Sequence, residues 1–230
     1  IENSLSTVTF NKLTNDLLFM RFFCEVNANK RNLYMYDVYV YDVFEHYTDI
    51  KCKKYSEGVR QDSVSLLFNK IISSMINENN YTGVSTDNFS KESIQLLNEM
   101  IDNEVIFKSE TKVKKGFLSK QIETVGFTFD EYRDYCITNY LLENYDDEEK
   151  ILEFWQHMSD NKLTICEGVQ KYLFYLSHTK YRESLFGIIS KVPEYDKLYW
   201  NYIWNIEDKY VTDYDVQKWK KQIEENGSKM

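Results

Sequence analysis

At 230 residues, 43% hydrophobic and 16% aromatic, the chain is long enough for one large domain or two small ones and can bury a sizeable core, which excludes disorder over most of its length. A net charge of −9 excludes general nucleic-acid affinity unless positive charge gathers in one patch. One proline and seven glycines leave long uninterrupted windows that favour helix.

Apolar spacing predicts a first helix over residues 14–28, capped by Thr14 or Asn15. Leu17, Leu18, Phe19, Phe22 and Phe23 cover much of its girth, so it should contact other elements on more than one side. A second helix is expected over 36–56, with Val40, Val43, Phe44 and Tyr47 at helical spacing and an end at Gly58. Asp62 should cap a third helix over 63–79, striped by Val64, Leu67, Phe68, Ile71, Ile72 and Met75. Residues 81–89 read as a turn region with a short apolar touch at Val84, and Ser90 as the cap of a helix over 91–103. A hairpin should follow, with strands over 105–110 and 121–127 and a turn at 114–116, then a helix over 130–144. Past an acidic break at 145–149, paired helices are expected over 148–158, 165–177, 181–192, 195–205 and 212–225. The expected fold is therefore mainly α with a small β-hairpin. Its parts are a helical domain (1–60), a winged helix (61–145) and a C-terminal helical bundle or short α-solenoid (146–230).

Cys24, Cys52, Cys136 and Cys166 are widely spaced, with no CxxC pair, and fall in helical patterns; buried reduced thiols are expected. No apolar run approaches 18 residues and no signal peptide is evident, so the expected setting is cytoplasmic, without a membrane partner. The first residue, Ile1, suggests a fragment of a longer protein.

The turn lysines Lys108, Lys112, Lys114, Lys115 and Lys120 could grip phosphates, which makes a DNA-binding winged helix one alternative. The helix that would read bases carries Glu92, Glu99, Asp102 and Glu104 against Lys91, a balance that repels the duplex. Nucleic acid is therefore the disfavoured partner, and a solvated turn is the plainer reading of the lysines. A protein-binding adaptor, docking through Tyr199, Trp200, Tyr202 and Trp204, is another alternative, although their helical spacing fits core packing better. His46, His157 and His178 form no HxxxH or HExxH arrangement, so no metal site is expected. Asp130 and Asp134 share a helix face near Arg133, where a helix N-terminus favours carboxylates electrostatically. Neither GxxxxGK[ST] nor GxGxxG occurs.

Two segments carry a family resemblance. NDLLFMRFFCEV (15–26), through Leu18, Phe19, Arg21, Phe23, Cys24 and Glu25, resembles the helix that follows the ATPase core of STAND-class, NACHT-like NTPases. GFTFDEYRDYCITNYL (126–141) is similar to the F-T-F-D-E-[FY]-R-D-Y segment closing that family's winged helix, matched at Phe127, Thr128, Phe129, Asp130, Glu131, Tyr132, Arg133 and Tyr135. The resemblance covers residues 14–144. It implies a non-catalytic regulatory fragment of a bacterial antiphage NTPase that clamps a nucleotide-bound core and swings as a rigid body. The implied partners are the NTPase core of the same parent and other proteins or further copies of itself. ATP and Mg would belong to the parent, with no cofactor in this fragment. Leu17, Arg21, Phe127, Phe129, Glu131, Tyr132 and Arg133 would make the switch or interdomain contacts. Two positions depart from the family pattern: Leu17 stands where the family has proline, and Gly126 where many members have a nucleotide-sensing histidine.

Overall fold

The computed structural model describes residues 16–28, 40–55, 63–115, 118–145 and 147–227. Ten α-helices and a three-stranded antiparallel sheet make up these residues, so the chain is mainly α with a small β-hairpin. The proposed caps Thr14 and Asn15, the helix end at Gly58 and the cap Asp62 lie outside the described residues.

Helix α1 (Leu17–Asn27) is capped by Asp16, whose Oδ1 accepts from the Leu18 and Phe19 amides at 3.1 and 3.0 Å. Phe19, Phe22, Phe23 and Val26 are buried, whereas Leu17 (77%), Leu18 (48%) and Met20 (37%) remain exposed. One side of the helix thus packs and the other stays open. Helix α2 (Val40–Tyr55) lies against it through the edge-on rings of Phe22 and Phe44, 5.1 Å apart.

Helix α3 (Ser63–Glu78) buries the expected stripe and ends with Asn79 at φ 48°. The Asn80 amide then returns to the Met75 carbonyl at 3.0 Å, closing the turn in the manner usually reserved for glycine. Strand β1 (Val84–Ser85) and a 3-10 turn (Thr86–Asn88) lead to helix α4 (Lys91–Asp102), capped by Ser90 as expected. Its end repeats the device with a charged residue: Glu104 sits at φ 56° while the Val105 amide bonds the Met100 carbonyl at 3.0 Å.

Strands β2 (Ile106–Lys115) and β3 (Leu118–Phe127) are longer than expected. They pair without interruption from Ile106↔Phe127 to Lys115↔Leu118, and β1 joins β3 to give the order β1-β3-β2. A lysine-rich run reads as a turn by composition. Once the register is set, backbone hydrogen bonds carry the ribbon through it.

Helix α5 (Asp130–Asn144) has the expected bounds. The C-terminal helices are α6 (Glu148–Asp160), α7 (Cys166–His178), α8 (Arg182–Ile189), α9 (Tyr195–Tyr202) and α10 (Asp213–Gly227). The tail of the expected 195–205 helix tightens into a 3-10 turn, Ile203–Asn205. Helix α7 is the axis of this region. His178, fully buried at its end, donates from Nδ1 to the Phe174 carbonyl (2.9 Å) and shares a hydrogen bond at Nε2 with the Tyr195 hydroxyl (3.2 Å). Its burial lowers its pKa, despite the Phe174 carbonyl.

Among the described residues a single hydrophobic cluster runs from Phe19 to Ile206. Of the four thiols, which are all free, only Cys136 is buried; Cys52 and Cys166 are half-buried and Cys24 is exposed. The expected burial of all four is corrected here: Cys24 lies on the open side of α1. No helix among the described residues is long and apolar enough to cross a membrane.

Candidate functional site

The residues singled out in 127–135 converge on one place, the N-terminal half of α5. Tyr132 has no exposed surface. Its ring meets Phe22 of α1 (5.5 Å), Phe44 and Tyr47 of α2 (both 5.4 Å), Phe68 of α3 (6.5 Å) and Phe127 of β3 (6.0 Å). Its hydroxyl shares a 2.8 Å hydrogen bond with Thr48 of α2. Phe129 stands edge-on to Phe22 at 5.0 Å, and Phe127 lies 5.6 Å from Phe68. Each such pair is worth roughly 0.5–1.5 kcal/mol beyond simple burial. The FTFDEYRDY helix is therefore the pillar against which three earlier helices lean.

Arg133 fixes the other flank. Only 5% exposed, it donates from Nε and NH2 to Asp134 Oδ1 (2.9 and 2.8 Å), and from NH1 to Asp130 (2.7 Å) and the Tyr81 carbonyl (3.2 Å). Asp130 and Asp134 thus do more than favour the helix start: they bracket a buried guanidinium. Burial pushes the Asp134 carboxyl up to about 7, with the Arg133 charge and hydrogen bond opposing it. Across the carboxyl lies Gly168 of α7, where an added Cβ would stand 2.0 Å from Asp134 Oδ2. Glu131 completes the crossing of α5 and α7 through an ion pair with Lys171 at 2.5 Å.

Arg21 makes the remaining connection. Its Nε donates to Glu25 (2.9 Å), NH1 pairs with Glu104, and NH2 donates to the Asn103 carbonyl (3.1 Å). Glu25 in turn holds Lys51 of α2, a lysine only 4% exposed, at 2.8 Å. Burial opposes ionisation of Glu25, but hydrogen bonds and charge from Lys51 and Arg21 outweigh it and lower its pKa. Helix α1 is thus tied to α2 and to the turn between α4 and β2. Leu17 stands apart from these contacts on the open side of α1.

Gly126 is occupied by backbone geometry. A Cβ there would lie 2.5 Å from the Thr82 carbonyl oxygen and 2.9 Å from Phe107, so any side chain, histidine included, would displace the loop preceding β1. Of the hairpin lysines, Lys112 is exposed and Lys108 pairs with Glu123 at 2.8 Å. Lys114, Lys115 and Lys120 take their places in the strand ladder; their side chains are outside the described residues. On α4 and its end, Glu92, Glu99, Asp102 and Glu104 are all exposed. Among the C-terminal aromatics, Tyr199 is fully buried and Trp200 and Tyr202 pack against the core, while Trp204 is 62% exposed and stacks on Trp219 at 5.3 Å.

Sequence reasoning did not single out Lys51, Thr48 or Gly168 for a role. The Arg21 to Glu25 spacing of four residues on one helix was available as a signal. Nothing local marks Lys51 as buried or Gly168 as a crossing point. Among the described residues no group of three or more His, Cys, Asp or Glu could hold a metal ion. Comparison with family models, curated proteins and solved structures gives no match.

Proposed function

We propose that this chain is a non-catalytic regulatory module of a STAND-type NTPase, acting as a conformational switch and interaction surface. The observation that carries the reading is the convergence of α1, α2, α3, β3 and α7 on the FTFDEYRDY helix. A switch that swings as a body needs its elements welded together, and aromatic contacts around Tyr132 with the ion pairs of Arg133 and Arg21 supply such a weld. The order helix, short strand, helix, hairpin, with sheet order β1-β3-β2, agrees with a winged helix in which α4 is the would-be recognition helix. Its exposed carboxylates favour a protein-facing over a DNA-facing role. The open side of α1, with Leu17, Leu18 and Met20, is the surface that would meet the parent's NTPase core, in a cytoplasmic antiphage setting.

On this reading the chain itself holds no nucleotide. Isothermal titration with ATP or ADP and Mg at up to 1 mM (about the usual cellular range) should give no saturable heat. Micromolar binding would refute it.

A further inference from the structure

Strand β2 is the outer strand of the sheet, with β3 on one side of it only. The register fixes which of its backbone groups face β3. The Thr128 amide donates to the Val105 carbonyl at 3.1 Å, and these two residues form the next opposed pair after Ile106↔Phe127. Antiparallel ladders alternate bonded and unbonded pairs. The odd-numbered residues of β2 therefore bond β3, and the even-numbered ones point their N–H and C=O away from it. Ile106 is 1% exposed, so its edge is covered, whereas Lys108, Glu110 and Lys112 are exposed. Among the described residues no other element hydrogen-bonds the backbone of these three. They repeat at the two-residue spacing of an extended strand, about 6.8 Å.

Lysines on an edge strand repel partners of like charge, and here the charge pattern is selective. For a second copy of β2 laid antiparallel, the register centred on Glu110 opposes Glu110 to itself and Lys108 to Lys112. Shifts to either side oppose Lys108 to Lys114, Lys112 to itself or Lys108 to itself. The register free of like pairs, Lys108 against Glu110, would set Lys112 on the covered edge of Ile106.

An extended segment with carboxylates four residues apart meets no such conflict. One carboxylate faces Lys112, which makes no ion pair with a described residue. The other faces Lys108, whose 2.8 Å pair with Glu123 is exposed on both sides and so exchanges partners at little cost. Between them a small polar side chain faces Glu110, which is already bonded to Gln121. On the other face Phe107, 38% exposed, favours an aromatic neighbour. We propose that the edge of β2 from Lys108 to Lys112 docks an acidic extended segment of another protein as a further strand of the sheet. This inference is independent of the switch reading, since it rests on the strand edge alone.

The probe is the peptide acetyl-SEVTVEYS-amide, whose two glutamates fall opposite Lys112 and Lys108 and whose tyrosine falls opposite Phe107. The full chain is titrated with it and followed by NMR, reading amide exchange residue by residue. The expected result is saturable one-to-one binding with a dissociation constant at or below about 1 mM, and exchange at Lys108, Glu110 and Lys112 slowed at least about tenfold. The peptide N-methylated at its central threonine and second glutamate keeps its charge but loses two ladder donors, and should bind at least about tenfold more weakly. Lys108→Glu with Lys112→Glu should reject the peptide and accept its charge-reversed form, SKVTVKYS. Glu110→Pro removes an outward N–H without touching a bond to β3, and should abolish binding while exchange at Ser109 and Thr111 shows the hairpin intact. Equal binding of the N-methylated peptide, binding without protection of the three amides, or no saturable binding up to about 2 mM would overturn the proposal. Protection that appears with protein concentration alone would overturn it too, by assigning the edge to a second copy.

Discussion

Replacing glycine by alanine inside a helix ordinarily stabilises it by about 1 kcal/mol, because alanine loses less backbone freedom on folding. At Gly168 the opposite sign is expected. The new methyl would stand 2.0 Å from Oδ2, 2.7 Å from Cγ and 2.8 Å from Cβ of Asp134. The carboxylate has little room to turn away, because its other oxygen accepts from two Arg133 nitrogens at 2.9 and 2.8 Å. Either α5 and α7 separate, or the buried pair breaks. Overpacking costs about 1–3 kcal/mol and loss of a buried pair up to about 3–5 kcal/mol. Setting the usual helical gain of about 1 kcal/mol against these gives a net loss of about 0–2 kcal/mol for Gly168→Ala if the helices separate and about 2–4 kcal/mol if the pair breaks. Urea unfolding followed by tryptophan fluorescence measures it directly. A cycle with Asp134→Ala supplies the control: with the carboxylate gone, Gly168→Ala should cost less than in the native background, leaving only the 2.8 Å approach to the retained Cβ. If Gly168→Ala alone stabilises the protein, the close approach of α5 and α7 is refuted.

Gly126→Ala should cost about 2–4 kcal/mol in the same assay, because the nearest atom is the Thr82 backbone oxygen, which cannot rotate aside; a neutral result would mean the Tyr81–Gly83 loop does not approach β3 as described. Tyr132→Phe should cost about 1 kcal/mol for the hydrogen bond to Thr48, and Tyr132→Ala about 3–5 kcal/mol for the ring; equal losses would show that the hydroxyl, not the ring, anchors the cluster. Asp42 on α2 is pushed up to about 6 by burial, with Glu207 and Glu45 adding repulsion. A carboxyl raised above its unfolded value weakens the fold in its charged form, so this contribution to stability is greatest at low pH and is lost as pH rises from about 4 through 6. Asp42→Asn should remove a slope worth about 1 kcal/mol after allowance for partial exposure, and an unchanged pH profile would contradict the assignment.

The parts of this fold legible in sequence are those that depend on neighbours along the chain. Ser90 three residues ahead of Ser93, and the apolar periodicity of 130–144, place α4 and α5 where they are found. Strand length is different, because it depends on a partner strand: Thr111 to Lys115 look like a turn until β3 is set beside them. The helix ends at Glu104 and Lys162, both at positive φ, carry no glycine to announce them. The roles within the candidate site divide in the same way. Phe127, Phe129 and Tyr132 have spacings that suggest packing, and they do pack. That Tyr132 would be shared by three helices, that Lys51 would be buried on Glu25, or that Gly126 would face a carbonyl follows only from tertiary approach.

The central claim is that α1 is welded to the α5 pillar and moves with it. Hydrogen exchange read peptide by peptide on the full chain addresses this most directly, because elements of one rigid body open together. Amides of α1 should exchange with the same opening free energy as those of α5, and Tyr132→Ala should lower both. If α1 exchanges through an opening about 2 kcal/mol or more below that of α5, and Tyr132→Ala leaves it unchanged, helix α1 is an independent element and the rigid-switch account is contradicted.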